Sequence, residues 1–307
     1  MPKRLLDCCA SDFRSFTKSD LLESIQKSEG RVIACETIGT VQPLLGNVTN
    51  AEFAASMGAD ILLLNMFDVQ HPVINGLPET EPENTVRMPQ QMPRRPIGTT
   101  LEPVAEGEEG ETGPIWKMSA GRRATVENAL RAKELGVDFI LLTGNPGMGV
   151  SNPAIIETLR KFKAAVGDSI VLAAGKMHAA GVLTEAAESI LTEADIADFT
   201  AAGADIILLP APGTVPGITM EYARTLISCA HRHGALTITA IGTSQEGADT
   251  DTIRRIALMC KMAGTDIHHI GDTGVPGMAL PQNIMAYSIA IRGERHTYHK
   301  MAQSVNR

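Results

Sequence analysis

FTAAGADIILLP, residues 199–210, holds a helical run, then Gly, a spacer, an Asp and a wholly apolar strand. The chain writes the same pattern three more times: FAASMGADILLLN (53–65), LRAKELGVDFILLT (130–143) and LMCKMAGTDIHHIG (258–271). Asp60, Asp138, Asp205 and Asp266 therefore mark equivalent points, spaced as two βα units are. The Gly suits a helix C′ position, where a left-handed backbone is needed. A strand apolar on consecutive residues is buried on both faces, as in parallel sheets.

Working outward, four further strand-like runs fall between these: RVIACET (31–37), PIGTTLEP (96–103), SIVLAAGK (169–176) and ALTITAIG (235–242). Helical patterns separate the strands, among them NPAIIETLRKFKAAV and TMEYARTLISCAHRH. Eight βα units in roughly 250 residues specify an α/β fold of the (β/α)8 TIM barrel type. A doubly wound open sheet is the competing architecture, but it needs no fourfold repeat. The boundaries predict an N-terminal extension and helix over 1–30, a barrel over 31–293 and a polar tail over 294–307. Within the extension, KSDLLESIQKSE (18–29) reads as an extra helix closing the bottom of the barrel. Two long stretches, 69–95 after strand two and 104–122 after strand three, are rich in Pro, Gly and charge; they read as lids or substrate loops, or as surface loops.

The 307 residues carry a net charge of −8, which argues against a nucleic-acid or anionic-membrane surface. The five Cys form no CxxC, the N-terminus lacks a leader-like apolar core, and no apolar run reaches 18 residues. A reduced, cytoplasmic setting is expected, with no membrane or nucleic-acid partner and, for a barrel of this size, a homo-oligomer.

In such barrels chemistry sits where strands end and βα loops begin. The polar residues there are Glu36, Asn65, Asp68, Glu102, Thr143, Asn145, Lys176, His178, Gly242, Thr243, Ser244, Gly271, Asp272 and Gly274. Glu36, Glu102, Lys176 and His178 are the catalytic candidates. Glu36, Asp68 and Glu102 are candidate oxygen ligands for Mg²⁺ or Mn²⁺; no nucleotide cofactor is indicated. Lys176, ending the buried strand AAGK, is either a Schiff-base nucleophile or a cation for a substrate anion. The Gly-rich loops after strands seven and eight, AIGTSQEG and IGDTGVPGMA, sit where such barrels hold phosphate, so Asn65, Thr143, Asn145, Gly242, Thr243, Ser244, Gly271, Asp272 and Gly274 are candidate contacts to a small anionic metabolite. Arg94, Arg95, Arg122 and Arg123 flank the long stretches and are candidate anion clamps. ADTDTI (248–253) looks like a phosphatase signature but opens a helix, so Asp249 reads as an N-cap. His268 and His269 are adjacent on one strand, so one faces the barrel interior and the other the helix layer.

The layout over about residues 30–293 resembles the phosphate-binding (β/α)8 barrels, a group with many lyases, aldolases and isomerases. Within it, the carboxylates near early strand ends and the Lys…His pair in GKMH (175–178) are similar to the phosphoenolpyruvate phosphonomutase and isocitrate lyase superfamily. Where that superfamily's lyases have Lys-Cys-Gly-His, this chain lacks the Cys and the pair directly ends a strand. The resemblance implies a lyase, aldolase or isomerase acting on a phosphorylated or 2-oxo-acid metabolite. The alternative class is a catalytically silent barrel that binds a metabolite and serves regulation or assembly.

Overall fold

The repeated Asp turns out to be a fastener between neighbouring strands. In a computed structural model describing residues 2–104, 118–144, 149–179 and 183–307, each such Asp precedes an even-numbered strand and reaches back to the strand before it. Asp60 Oδ2 accepts from Ile33 N at 2.9 Å, Asp138 Oδ2 from Ile97 N at 2.8 Å, Asp205 Oδ2 from Leu172 N at 2.8 Å and Asp266 Oδ2 from Thr237 N at 2.8 Å. Each satisfies a strand-start N–H that would otherwise be orphaned at the barrel's N-terminal end. The Gly ahead of three of them caps a helix in the left-handed region: Gly136 at φ 96°, Gly203 at 114° and Gly264 at 98°.

The strands are β1 (Val32–Ile38), β2 (Ile61–Asn65), β3 (Ile97–Leu101), β4 (Phe139–Leu142), β5 (Val171–Gly175), β6 (Ile206–Pro210), β7 (Leu236–Ile241) and β8 (Ile267–Ile270). All neighbours pair in parallel and β8 returns to β1, closing the barrel. The helices are α1 (Lys18–Lys27), α2 (Asn50–Ser56), α3 (Arg87–Gln91), α4 (Val126–Leu135), α5 (Asn152–Ala165), α6 (Glu193–Ala202), α7 (Met220–Arg232), α8 (Thr250–Ala263) and α9 (Pro281–Ala302). Ser151, Thr219 and Asp249 cap α5, α7 and α8 through side-chain oxygens, Asp249 as its sequence position predicts.

Strand parity divides the core in two. Residues such as Leu62, Leu64, Ile140 and Ile207 face the helices, in one large apolar layer. Val32, Ala34, Ile61, Leu63, Leu141, Val171, Ala173, Ile206, Leu208, Ile238 and Ile267 fill the interior together with Leu21 and Ile25 of α1. The extra helix therefore plugs the N-terminal end of the barrel, as expected. Gly98 of β3 stands opposite Phe139 of β4, and a Cβ at Gly98 would lie 2.4 Å from the Phe139 ring. Gly98→Ala should then cost about 1–3 kcal/mol by overpacking. A compensating Phe139→Leu should recover most of that loss in urea unfolding.

Two expectations need correction. The stretch 69–95 is not confined to the mouth, where Asn75 packs on the loop after β1, its N donating to Gly39 O at 2.8 Å and its Nδ2 to Thr40 O at 2.8 Å. It carries a 3-10 turn at Pro82–Asn84 and α3, and it runs down to the opposite end, where Gln90 Nε2 donates to Gly136 O at 2.6 Å and to Asp138 at 3.0 Å. It stands in place of a full crossover helix. Of the second stretch, residues 105–117 lie outside the described residues. The tail over 294–307 is not merely polar surface: α9 breaks at Gly293 (φ 77°) and resumes to Ala302, burying Thr297 and Lys300. Lys300 Nζ donates to Leu5 O at 3.2 Å and pairs with Asp60 at 3.5 Å, which draws the helix onto the barrel.

Candidate functional site

Interior parity continues past the apolar plug to the C-terminal mouth. Two residues beyond Ala34 stands Glu36, two beyond Leu63 Asn65, two beyond Leu141 Thr143 and two beyond Ile267 His269. Above a floor of Ile, Leu and Val, the inward positions thus turn polar where the strands end.

Glu36 is the centre of this rim. Its side chain is 6% exposed and accepts no hydrogen bond from the described residues. Burial, reinforced by the negative charges of Asp272 and Glu246, holds its carboxyl well above the usual Glu range. Its neighbour is His269, whose Nε2 lies 3.6 Å from Glu36 Oε2. Burial pushes that imidazole down to about 4, and neither ring nitrogen has a hydrogen-bond partner among the described residues. The imidazole is thus uncharged near neutrality and the two do not form an ion pair, while the carboxyl beside it holds its proton more tightly than an ordinary Glu.

Asp272 follows β8. It accepts from Asn65 Nδ2 at 2.8 Å and from Gly274 N at 2.7 Å, yet burial raises its pKa. Asn65 in turn accepts from Thr100 Oγ1 at 3.2 Å, so β2, β3 and β8 are tied across the rim. Glu246 lies in the 3-10 turn after β7, buried, with its pKa raised by desolvation first and then by Asp272. It packs on Gly271, where a Cβ would sit 3.3 Å from the Glu246 Cδ. The backbone here is strained: Thr243 (φ 95°), Ser244 (68°) and Thr273 (57°) are all left-handed without being Gly.

On the far side of the ring, β5 ends in Gly175, and a Cβ there would lie 2.1 Å from Leu208 O. Only Gly permits that closeness of β5 and β6, which sets the starting point of Lys176. Lys176 is buried, and its charge contributes to lowering the pKa of His178, after desolvation. Thr143 Oγ1 is buried without a hydrogen bond to the described residues.

The other expected residues divide. Glu102 pairs with Arg122 at 2.6 Å, both buried, and its backbone takes the segment after the second long stretch alongside β3. Arg122 is therefore a partner of a protein carboxylate rather than a clamp. Asp68 caps its own loop, accepting from Gln70 N at 2.8 Å and His71 N at 2.9 Å, and Gly121 packs so tightly on it that a Cβ would lie 1.8 Å from Oδ1. Glu36, Asp68 and Glu102 are thus not gathered as a metal centre, and no group of three His, Cys, Asp or Glu among the described residues has the geometry to hold an ion. Gly242, Thr243, Ser244, Gly271 and Gly274 do flank the rim, but Met177 Sδ fills the space where a Gly242 Cβ would lie, at 2.6 Å, and Thr243 Oγ1 donates to Thr214 O. Glu246 and Asp272 stand beside these loops, and Gly274 N already donates to Asp272 Oδ1 at 2.7 Å. Asn145 lies outside the described residues. Arg94 and Arg95 belong to the opposite end of the barrel, where Arg95 donates to Ala59 O and Lys300 O.

Sequence reasoning passed over Glu246 and took no role from His269. For His269 the signal is parity from Ile267. For Glu246 it is an acidic residue in a loop that otherwise reads Gly-Thr-Ser. His268, of opposite parity, hydrogen-bonds Gly30 O at 3.0 Å and packs edge-on against Tyr287 in the helix layer.

The chain belongs to the family described as "Domain of unknown function (DUF7916)", whose match spans residues 6–307. No curated protein matches it. Among solved structures it is similar to an archaeal fructose-1,6-bisphosphate aldolase with its catalytic Lys covalently bound to the carbinolamine intermediate, at TM-score 0.56 and 13% identity, over 88% of this chain and 99% of that one. It is also similar to the carboxyl transferase domain of Rhizobium etli pyruvate carboxylase with 3-bromopyruvate, at 0.54 and 13%, over 94% of this chain and 51% of the other, so the chain spans about half that protein's length. At this identity the likeness establishes the (β/α)8 fold. Among the described residues no helix is long and apolar enough to cross a membrane.

Proposed function

We propose that the barrel is an enzyme of the lyase, aldolase or isomerase kind, moving a proton on a small carbonyl metabolite such as a 2-oxo acid or a phosphorylated carbonyl compound. The observation that carries this reading is the Glu36 carboxyl, inward at the mouth, buried, without a hydrogen bond from the described residues, and with its pKa raised by burial. A carboxyl without hydrogen bonds destabilises a fold, and nothing in the packing requires one there. Perturbed groups of this kind cluster at catalytic sites.

In this reading Glu36 delivers its proton to an enolate carbon, giving the carbonyl compound and a carboxylate, and that carboxylate regains a proton from solvent or by taking it from the carbon beside the carbonyl of the next substrate molecule. Asn65 and Asp272 orient the rim around it. Lys176, on β5 and so opposite β1 in an eight-strand ring, faces the carbonyl end of the substrate, as a cation or as an amine forming a Schiff base with release of water. His178 stays largely neutral, since burial lowers its pKa, and can accept the proton that Lys176 must lose. In this reading the Lys176 side, rather than the loops after β7 and β8, holds the substrate's anionic group.

The test is solvent deuterium exchange by NMR on a panel of 2-oxo acids and phosphorylated ketoses in D₂O. Exchange at the carbon beside the carbonyl should fall about 10²–10⁴-fold in Glu36→Gln and Lys176→Ala. Borohydride trapping on Lys176, read by mass spectrometry, separates the Schiff base from the cation role. If a compound binds calorimetrically yet neither exchanges nor turns over, the barrel is a silent binding protein and the enzyme reading fails.

A further inference from the structure

The N-terminal end of the barrel, remote from the mouth, holds a cleft of about 440 Å³. That is within the size range of small-molecule sites. Its walls are the segment leading into α1, the α3 stretch and the entries to β3, β4 and β5. In a chain of net charge −8 the cleft is locally the reverse: Arg14, Lys18, Arg87, Arg94 and Arg95 line it, with Asp138.

Three of the cations are held by the protein. Lys18 pairs with Asp205 at 2.5 Å, Arg87 donates to Glu134 O at 3.1 Å and Arg95 donates only to backbone carbonyls. Carbonyl contacts position a guanidinium without cancelling its charge. Asp138 supplies the one carboxylate among the lining residues, against five cationic side chains. The Arg14 and Arg94 side chains have neither ion pair nor hydrogen bond with the described residues, and Arg94 Nε is buried with none of those residues accepting from it. Arg94 also sits in the left-handed region at φ 48°, an unfavourable backbone for Arg. An orphaned donor on a strained residue, in a cleft with surplus positive charge, calls for an anion. The remaining wall is apolar: Phe13 and Phe16 meet edge to face at 5.3 Å, backed by Leu21 and Val137.

We propose that this cleft is a second binding site, for a small organic anion whose phosphate or carboxylate is held by Arg94 and Arg14 while a flat apolar body lies on Phe13 and Phe16. Arg94 contributes its guanidinium to the anion oxygens. The site is independent of the mouth, since it shares no residue with it.

Calorimetric titrations with phenyl phosphate, benzoate, inorganic phosphate and phenol at low salt test this. Phenyl phosphate or benzoate should bind more tightly than both inorganic phosphate and phenol, and which of the two wins identifies the headgroup. Arg94→Gln and Arg14→Gln should each weaken binding about tenfold or more, and added salt should weaken it further. Arg94→Lys, which keeps the charge but loses the guanidinium, should fall between. Glu36→Gln and Lys176→Met should leave these affinities unchanged. Binding that ignores Arg14 and Arg94, binding lost through the mouth variants, or no binding at millimolar probe overturns the proposal. Arg14 is exposed, so Arg14→Gln carries the test even if substitution at Arg94 impairs folding.

Discussion

Asp60→Ala should be the most destabilising of the four repeat-Asp substitutions, lowering the unfolding free energy by about 3–5 kcal/mol, against about 1 kcal/mol for Asp138→Asn. All four accept one strand-start N–H, and losing that alone is worth about 1 kcal/mol. Asp60 does more. It is 1% exposed, and it pairs with Arg292 Nη1 at 2.5 Å and Lys300 Nζ at 3.5 Å, both themselves buried. Taking away the carboxylate strands two buried cations, the costly way to break an interior ion pair. Burial already holds Lys300 down to about 8, with Asp60 opposing that fall, so without Asp60 the ammonium would lose its proton more readily still. By contrast, Asp138 meets Ile97 N and Gln90, no cation, and Asn preserves the acceptor. Since a domain's whole margin is about 5–15 kcal/mol, Asp60→Ala should shift the urea midpoint strongly. Adding Arg292→Met and Lys300→Met should return a good part of the loss. Equal costs at positions 60 and 138 would mean that the Arg292–Lys300 cluster contributes nothing beyond the shared strand fastener.

These residues show how far the chain can be read unaided. The Gly-x-Asp-strand repeat is local, written within a dozen residues, and its parity carries the whole barrel, the plugging helix and the inward placement of Glu36 and His269. What could not be read depends on partners distant in sequence. Glu102 looks like a rim carboxylate until Arg122 arrives from beyond a long loop. Asp68 looks like a ligand until its own following backbone and Gly121 close on it. Residues 294–302 are polar in composition, and only the contacts of Lys300 with Leu5, Cys8 and Asp60 turn them into a buried helix. The surroundings of the loops after β7 and β8 depend on the same kind of partner: the glycines suggest an anion cradle, and only the fold shows Glu246 packed on Gly271 beside them.

Glu36→Gln should give a protein that is more stable above pH 5 and has lost its proton-transfer chemistry. The folded carboxyl's pKa lies well above its value in the unfolded chain, about 4.3. Between those two values the folded state holds a proton that the unfolded state has released, so stability falls as pH rises, by about 1.4 kcal/mol per pH unit until the folded pKa is passed. Below about pH 4 both states are protonated and the penalty vanishes. Gln has the same shape and cannot ionise, so wild type and variant should unfold alike near pH 4 and diverge with increasing pH, the variant higher. Glu246 and Asp272, also raised, keep a residual slope of the same sign in both proteins. A purely structural Glu36, ionised and paired, would behave oppositely: Gln would lower stability near neutrality and the gap would close on acidification. The same variant should lack deuterium exchange at the substrate carbon. Stability gained together with activity lost is the signature of a group kept against the interest of the fold. Parallel pH curves, or unaltered exchange, would remove Glu36 from the centre of the site.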